Sequence, residues 1–176
     1  LNAFSRLMQG KIFREKEIKI KVKEELEIVQ FYLYLQKSRY QAKLSYEVKL
    51  EDEKIGEDLI PRLLIEPLVE NAVSHGLEPK REKGNLQVLL YEREMLYIWV
   101  KDDGVGVGQN QMKAEENKEN IPHTHVGWEN TKKMLRILYG DYYKFQVWSE
   151  PGKGTEIEIA VPIERGGNYV ESDSSR

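Results

Sequence analysis

Ile60-Pro61-Arg62-Leu63-Leu64-Ile65-Glu66-Pro67-Leu68-Val69-Glu70-Asn71-Ala72-Val73-Ser74-His75-Gly76 decides how this chain is read. Leu64, Leu68 and Ala72, with Ile65, Val69 and Val73, recur at the three- and four-residue spacing of a helix with one apolar face. The spacing predicts a helix over 63–75, opened by Pro61, where a missing N–H costs nothing, and stopped at Gly76. Glu70, Asn71, Ser74 and His75 fall on or beside the opposite face. Asn71 offers a neutral amide oxygen of the kind Mg2+ accepts beside phosphate oxygens and water, and Glu70 adds negative charge next to it. Taken alone, that row reads first as a solvated helix face. Pro67 sits poorly in it, because inside a helix proline removes a hydrogen bond and costs about 3 kcal/mol.

Working outward, Leu86–Tyr91 and Leu96–Asp102 predict two strands joined by a charged turn at Glu92-Arg93-Glu94. Leu96, Ile98 and Val100 share a parity with Asp102, so the pleat sends the Asp102 carboxylate toward the apolar face and Asp103 the other way. A carboxylate entering a core needs a donor, and the exocyclic amine of adenine would supply one. Gly104 and Gly106 let backbone approach a ligand closely, although the same short motif is also an ordinary turn. Residues 107–125 are polar and aperiodic, long enough to be a lid or a disordered segment.

Val126-Gly127-Trp128 then starts a helix that runs to Gly140, where Gly127 could direct backbone N–H groups at phosphates. Two alternating runs around Pro151-Gly152-Lys153-Gly154 predict a hairpin with Thr155 facing inward. Upstream, Val22–Tyr40 predicts a helix with more than one apolar stripe, packed on two sides, and Lys43–Leu50 a half-buried strand followed by an acidic loop. Leu1, Phe4, Leu7 and Met8 have helical spacing and read as the end of a helix; the tail from Gly166 is polar and predicted to be disordered.

In this order the segments resemble the N, G1, G2 and GT boxes of histidine kinases, and most fully those of the LytS/YesM-like sensor kinases. The 60–76 stretch resembles that family's N box almost residue for residue, Ser149-Glu150-Pro151-Gly152-Lys153-Gly154-Thr155 its terminal hairpin, and Glu24–Tyr40 its connecting helix. The resemblance spans about residues 20–162. It implies the two-layer α/β sandwich of the gyrase, Hsp90 and histidine kinase superfamily, with a mixed, largely antiparallel sheet and an N-terminal helical extension. The implied division is a remnant of an upstream helix at 1–19, an ATP-binding catalytic domain at 20–163 and a tail at 164–176.

Carried over by position, Asn71 would bind Mg2+, Glu70 would lie beside it, and Asp102 would read adenine. Gly104, Gly106, Gly127 and Thr155 would shape the pocket, and His75 would lie near the phosphates. Three positions depart from the pattern: His125 replaces a glycine, Trp128 a small aliphatic residue and Met134 a frequent arginine. The implied activity is transfer of the ATP γ-phosphate to a histidine on an upstream helix. His75, His123 and His125 lack the apolar Pro-His-Phe context of the family's acceptor, so the chain is not expected to phosphorylate itself. The implied parent is a membrane-anchored homodimer with a response regulator as partner and this domain in the cytoplasm.

Two other readings stay open. Superfamily ATPases carry a glutamate four residues before the Mg2+ asparagine, and Pro67 stands there; a module that kept the fold and lost nucleotide is the other. Composition limits the field further. A net charge of −3 supplies no basic field for nucleic acid, and zero cysteines exclude thiol chemistry. No apolar run approaches the roughly 20 residues of a membrane-spanning helix.

Overall fold

The computed structural model describes residues 18–40, 43–108 and 126–166. The expectations for residues 1–17, for His123 and His125 with nearly all of the 107–125 stretch, and for the tail beyond Gly166 lie outside the described residues. In chain order, β1 (Lys19–Lys21) runs into α1 (Val22–Tyr40), followed by β2 (Leu44–Leu50), a short 3-10 turn (Glu53–Glu57) and β3 (Leu59–Pro61). Next come α2 (Glu66–Asn71), β4 (Gly84–Glu92), β5 (Leu96–Asp102), α3 (Val126–Tyr139), β6 (Lys144–Glu150) and β7 (Gly154–Val161).

The main sheet has the order β2-β4-β5-β7-β6, with β2 parallel to β4 and every other pair antiparallel. Alternation along the strands decides which face is covered. Leu86, Val88, Leu90, Leu96, Ile98, Val100, Ile157, Ile159 and Val161 point to the helices and are buried, each worth about 1.5–3 kcal/mol in removed apolar surface. The intervening residues form the other face, where Tyr91 stacks on Tyr97 at 5.0 Å and the Trp99 indole donates to Glu156 at 2.8 Å. One helical layer on a mixed, largely antiparallel sheet is the α/β architecture expected.

Three expectations are corrected. The helix does not begin at Leu63 behind Pro61: Pro61 ends β3, paired with Lys19, and Leu63 takes a left-handed φ of 59° in the turn that follows. α2 starts at Glu66, so Pro67 occupies its first turn, where no intrahelical N–H is needed; the anomaly of a mid-helix proline disappears. Nor does Gly76 stop the helix, which continues as a wider π turn over Ala72–Leu77, closed by Glu78 N–H donating to Val73 O at 2.8 Å. Finally, α1 buries one stripe, Val22, Leu26, Val29 and Leu33 with Glu25 and Tyr32, whereas Phe31 and Leu35 of the second stripe are exposed.

β1 begins at Lys19, one residue ahead of the boundary expected at residue 20, and is extended rather than helical. Two residues past the expected end at 163, Arg165 bridges to Asp58.

Candidate active site

The cleft is assembled from four pieces of chain, each held by a specific contact. From α2, the turn of helix that passes from α to π geometry carries Asn71, Ala72, His75 and Gly76 to the edge of β5. Single π turns inside helices are frequent at functional sites because they re-aim side chains by a fraction of a turn. The loop after β5 is stapled on both sides. Val105 N–H donates to Gly76 O at 2.9 Å, and Val105 O accepts from Gly152 N–H at 2.7 Å. Val107 N–H donates to Ser149 Oγ at 2.9 Å, and that hydroxyl lies 2.9 Å from Thr155 Oγ1.

The glycines make this packing possible. A Cβ on Gly104 would lie 2.2 Å from the Gly76 carbonyl oxygen; one on Gly106, at φ +59°, would lie 2.1 Å from Glu150 O. Gly76 in turn leaves room for Asp102, whose Oδ1 would be 2.5 Å from an added Cβ.

Asp102 and Asp103 part as the pleat requires. Asp102 is 3% exposed, and its Oδ1 accepts Gly104 N–H at 2.8 Å. Burial raises its carboxyl to about 6, against the backbone N–H groups of Gly104 and Thr155 that favour the ionised form. Asp103 faces outward. Its partial burial is outweighed by hydrogen bonds from Asn85 and by Lys80, which hold it below the usual carboxylate range. The backbone of this loop is therefore fixed by Asp103, leaving Asp102 to face the cleft.

Asn71, His75, Asp102, Gly106 and Thr155 all line one cleft, together with Ala72, Gly76, Val107, Trp128 and Ile157. Among the residues expected at the site, three stand apart from the lining. Glu70 is exposed beside Asn71, Gly104 is buried against Gly76, and Gly127 is the second residue of α3. Trp128 is buried and forms part of one wall of the cleft.

Sequence reasoning missed Gly76 as the seat of Asp102 and Ile157 as a wall. Ile157 has the same parity as Thr155, so the pleat could have placed it.

The Asn71 side chain fits a polar ligand: its amide nitrogen is buried and has no hydrogen-bond partner. Because an amide's two ends exchange by a simple flip, the same position can present either a donor to phosphate or an oxygen to a cation. Among the described residues, no three carboxylate or imidazole groups converge as a metal cage. A divalent cation here would therefore take most of its oxygens from phosphate and water, as Mg2+ commonly does.

The family model described as histidine kinase-, DNA gyrase B- and HSP90-like ATPase matches residues 56–165, well over half of the chain. The chain belongs to this family. As a domain of the histidine-kinase type it resembles curated sensor kinases over most of its length. It is 31% identical to sensor histidine kinase YpdA of Escherichia coli over 92% of this chain and 28% of that protein. It is 27% identical to sensor histidine kinase YesM of Bacillus subtilis (89% and 26%) and 29% identical to sensor protein LytS of Bacillus anthracis (86% and 26%). The chain thus spans about a quarter of the length of these relatives.

Solved structures agree on the fold. The catalytic domain of histidine kinase ThkA superposes with a TM-score of 0.62 at 14% identity, covering 82% of this chain and 95% of that one. The histidine kinase domain of a blue-light activated kinase from Erythrobacter litoralis gives 0.58 at 18%, covering 91% and 70%. Among the described residues of this ATP-binding domain, no helix is long and apolar enough to cross a membrane.

Proposed function

We propose that the cleft binds Mg·ATP with adenine against Asp102 and the phosphates toward Asn71, His75 and the start of α3, and that the domain donates the γ-phosphate to a histidine outside it. The observation that carries this reading is the meeting in one cleft of a buried carboxylate and a buried amide nitrogen without a partner, beside apolar walls. Asp102, whose Oδ1 accepts Gly104 N–H, has acceptor capacity left for the exocyclic amine of adenine. Thr155, paired with Asp102, supplies a polar group at the adenine end, Asn71 one to the phosphate side, and Gly106 and Gly127 let backbone come close to the nucleotide.

When bound, Mg2+ would neutralise charge on the phosphate oxygens as the bond to the leaving ADP breaks. Glu70 adds negative charge beside Asn71 on that side. In the transfer, an imidazole nitrogen bonds to the γ-phosphorus in line with the breaking bond to the β,γ-bridging oxygen, which leaves on ADP. The domain positions and stabilises; the acceptor comes from another segment. In a parent kinase that segment would be an upstream helix of a membrane-anchored homodimer, and a response regulator would receive the phosphoryl group next.

Calorimetry of ATP binding with and without Mg2+, on this chain and on Asp102→Ala, tests the reading. Binding to the parent and at least a tenfold loss in the folded variant are expected; equal affinities would remove Asp102 from adenine recognition. One observation favours a second reading, a nucleotide-free interaction module: the buried Trp128 indole stands in the cleft wall where the family pattern has a small aliphatic residue. Absence of any binding to the parent chain would select it.

A further inference from the structure

α2 begins without a cap from its own sequence: the residue before it, Ile65, makes no side-chain hydrogen bond to the helix. Its first N–H groups would be orphaned in a buried place, which costs about 1–3 kcal/mol per group. The missing acceptor comes from 40 residues upstream. Glu25 of α1 is 0% exposed, and its Oε1 accepts Ile65 N–H at 2.6 Å and Glu66 N–H at 3.3 Å. A second link lies next to it. Arg62 N–H donates to Ile18 O at 3.0 Å, and β1 pairs with β3 through Pro61. Between these two links lie Leu63, held at its left-handed φ, and then the helix that presents Asn71 about one and a half turns later.

We propose that Glu25 is a positioning residue for the nucleotide site: by capping α2 from α1, it fixes the rotation and advance of the helix that carries Asn71 and His75. A hydrophobic residue of the same size would avoid burying a carboxylate but would leave the Ile65 and Glu66 N–H groups without an acceptor. What Glu25 supplies that an apolar residue cannot is a fixed polar link between two helices. The orientation of α1 is thereby joined to the geometry of the cleft, and a displacement of α1 reaches Asn71 through two backbone hydrogen bonds.

The proposal rests on the nucleotide reading for its functional half, so its test has two separate readouts. Glu25→Met keeps the volume and removes both acceptors, while Glu25→Gln keeps one acceptor; Glu25→Ala replaces Met should that variant not fold. Amide exchange of residues 68–71 without nucleotide reads the helix, and calorimetry with Mg·ATP reads the site. Glu25→Met is expected to speed that exchange at least tenfold, weaken Mg·ATP at least fivefold and lower the melting temperature, because two buried N–H groups lose their acceptor. Glu25→Gln should stay within twofold of the parent in both.

Val29→Ala, which opens a cavity in the same face of α1, should lower the melting temperature without changing affinity. Unchanged exchange in Glu25→Met, or an affinity loss that follows melting temperature across all variants, would overturn the proposal. A parent chain that binds no ATP would sink the nucleotide reading while the exchange data still decide the role of Glu25.

Discussion

Glu25 and Asp102 are two buried carboxylates with nearly the same local chemistry and different surroundings. Both accept backbone N–H groups, at 2.6 and 2.8 Å, and burial raises both, to about 7 and about 6. The second oxygen of Glu25 is enclosed without a partner, whereas Asp102 lines the cleft. What a buried carboxylate does is thus set less by its burial than by what its remaining hydrogen-bonding capacity faces. Turned inward it ties two helices together; turned to a cavity it waits for a donor.

The strongest way to break this contrast is to remove the packing that seats Asp102. Gly104→Ala would drive a Cβ into Gly76 O, and a loss of about 3 kcal/mol or more is expected in urea unfolding. Gly152→Ala has a left-handed φ of 77° but open space around it, so it should cost only about 1–2 kcal/mol. Equal losses would mean that backbone conformation, not the close approach of the two loops, matters here.

Next in size, Asp102→Ala should abolish most nucleotide binding while leaving unfolding stability within about 1 kcal/mol, because Asp102 lines the cleft, where water can take up the N–H groups that it leaves. A large loss of stability would put Asp102 in the same class as Glu25.

A more pointed test uses pH. Glu25 and Glu66 are raised to about 7, and Asp102 and Asp58 to about 6, chiefly by burial, from ordinary values of 4.5 and 3.8. Between about pH 4.5 and 7 the folded protein therefore holds more protons than the unfolded chain, and stability falls as pH rises through that window. Unfolding at pH 5.5 should require several kcal/mol more than at pH 7.5, of which roughly two-thirds comes from Glu25 and Glu66. ATP affinity should move the opposite way, about fourfold weaker at pH 5.5, since protonation of Asp102 removes the acceptor; Asp102→Asn should flatten that dependence. Parallel trends in stability and affinity would erase the distinction between the two carboxylates.

The smallest expected effect belongs to Asn71→Ala, a severalfold loss of binding with Mg2+ and less without it, read by calorimetry. Equal losses in both conditions would leave Asn71 with no part in holding the metal.

Most of the sheet and the cleft were legible because strand parity is a strict rule. The same alternation that buried Val100 placed Asp102 toward the cleft and Asp103 outside it. α2 was read one turn too long at its start, because Leu64 and Ile65 keep a helical period while lying in a turn, and periodicity registers which face is apolar rather than which backbone groups are bonded. The cap from Glu25 left no signal at all. Glu24, Glu25 and Glu27 are alike in sequence, and only packing against α2, far along the chain, singles out the one that is buried. Residues 109–125, the tail beyond Gly166 and the segment before Ile18 lie outside the described residues.

The edge where β1 meets β3 has a mechanical meaning as well. Leu59 N–H donates to Glu164 O at 2.7 Å, Lys19 pairs with Glu164, and Arg165 bridges Asp58 and Glu92. The first and last described strands of backbone are thereby pinned to one short ribbon, Asp58–Pro61, that leads directly into α2. Any chain attached at these two points would pull on a single pivot. A twist applied at that pivot would pass through β1 into α1 and through β3 into the helix bearing Asn71.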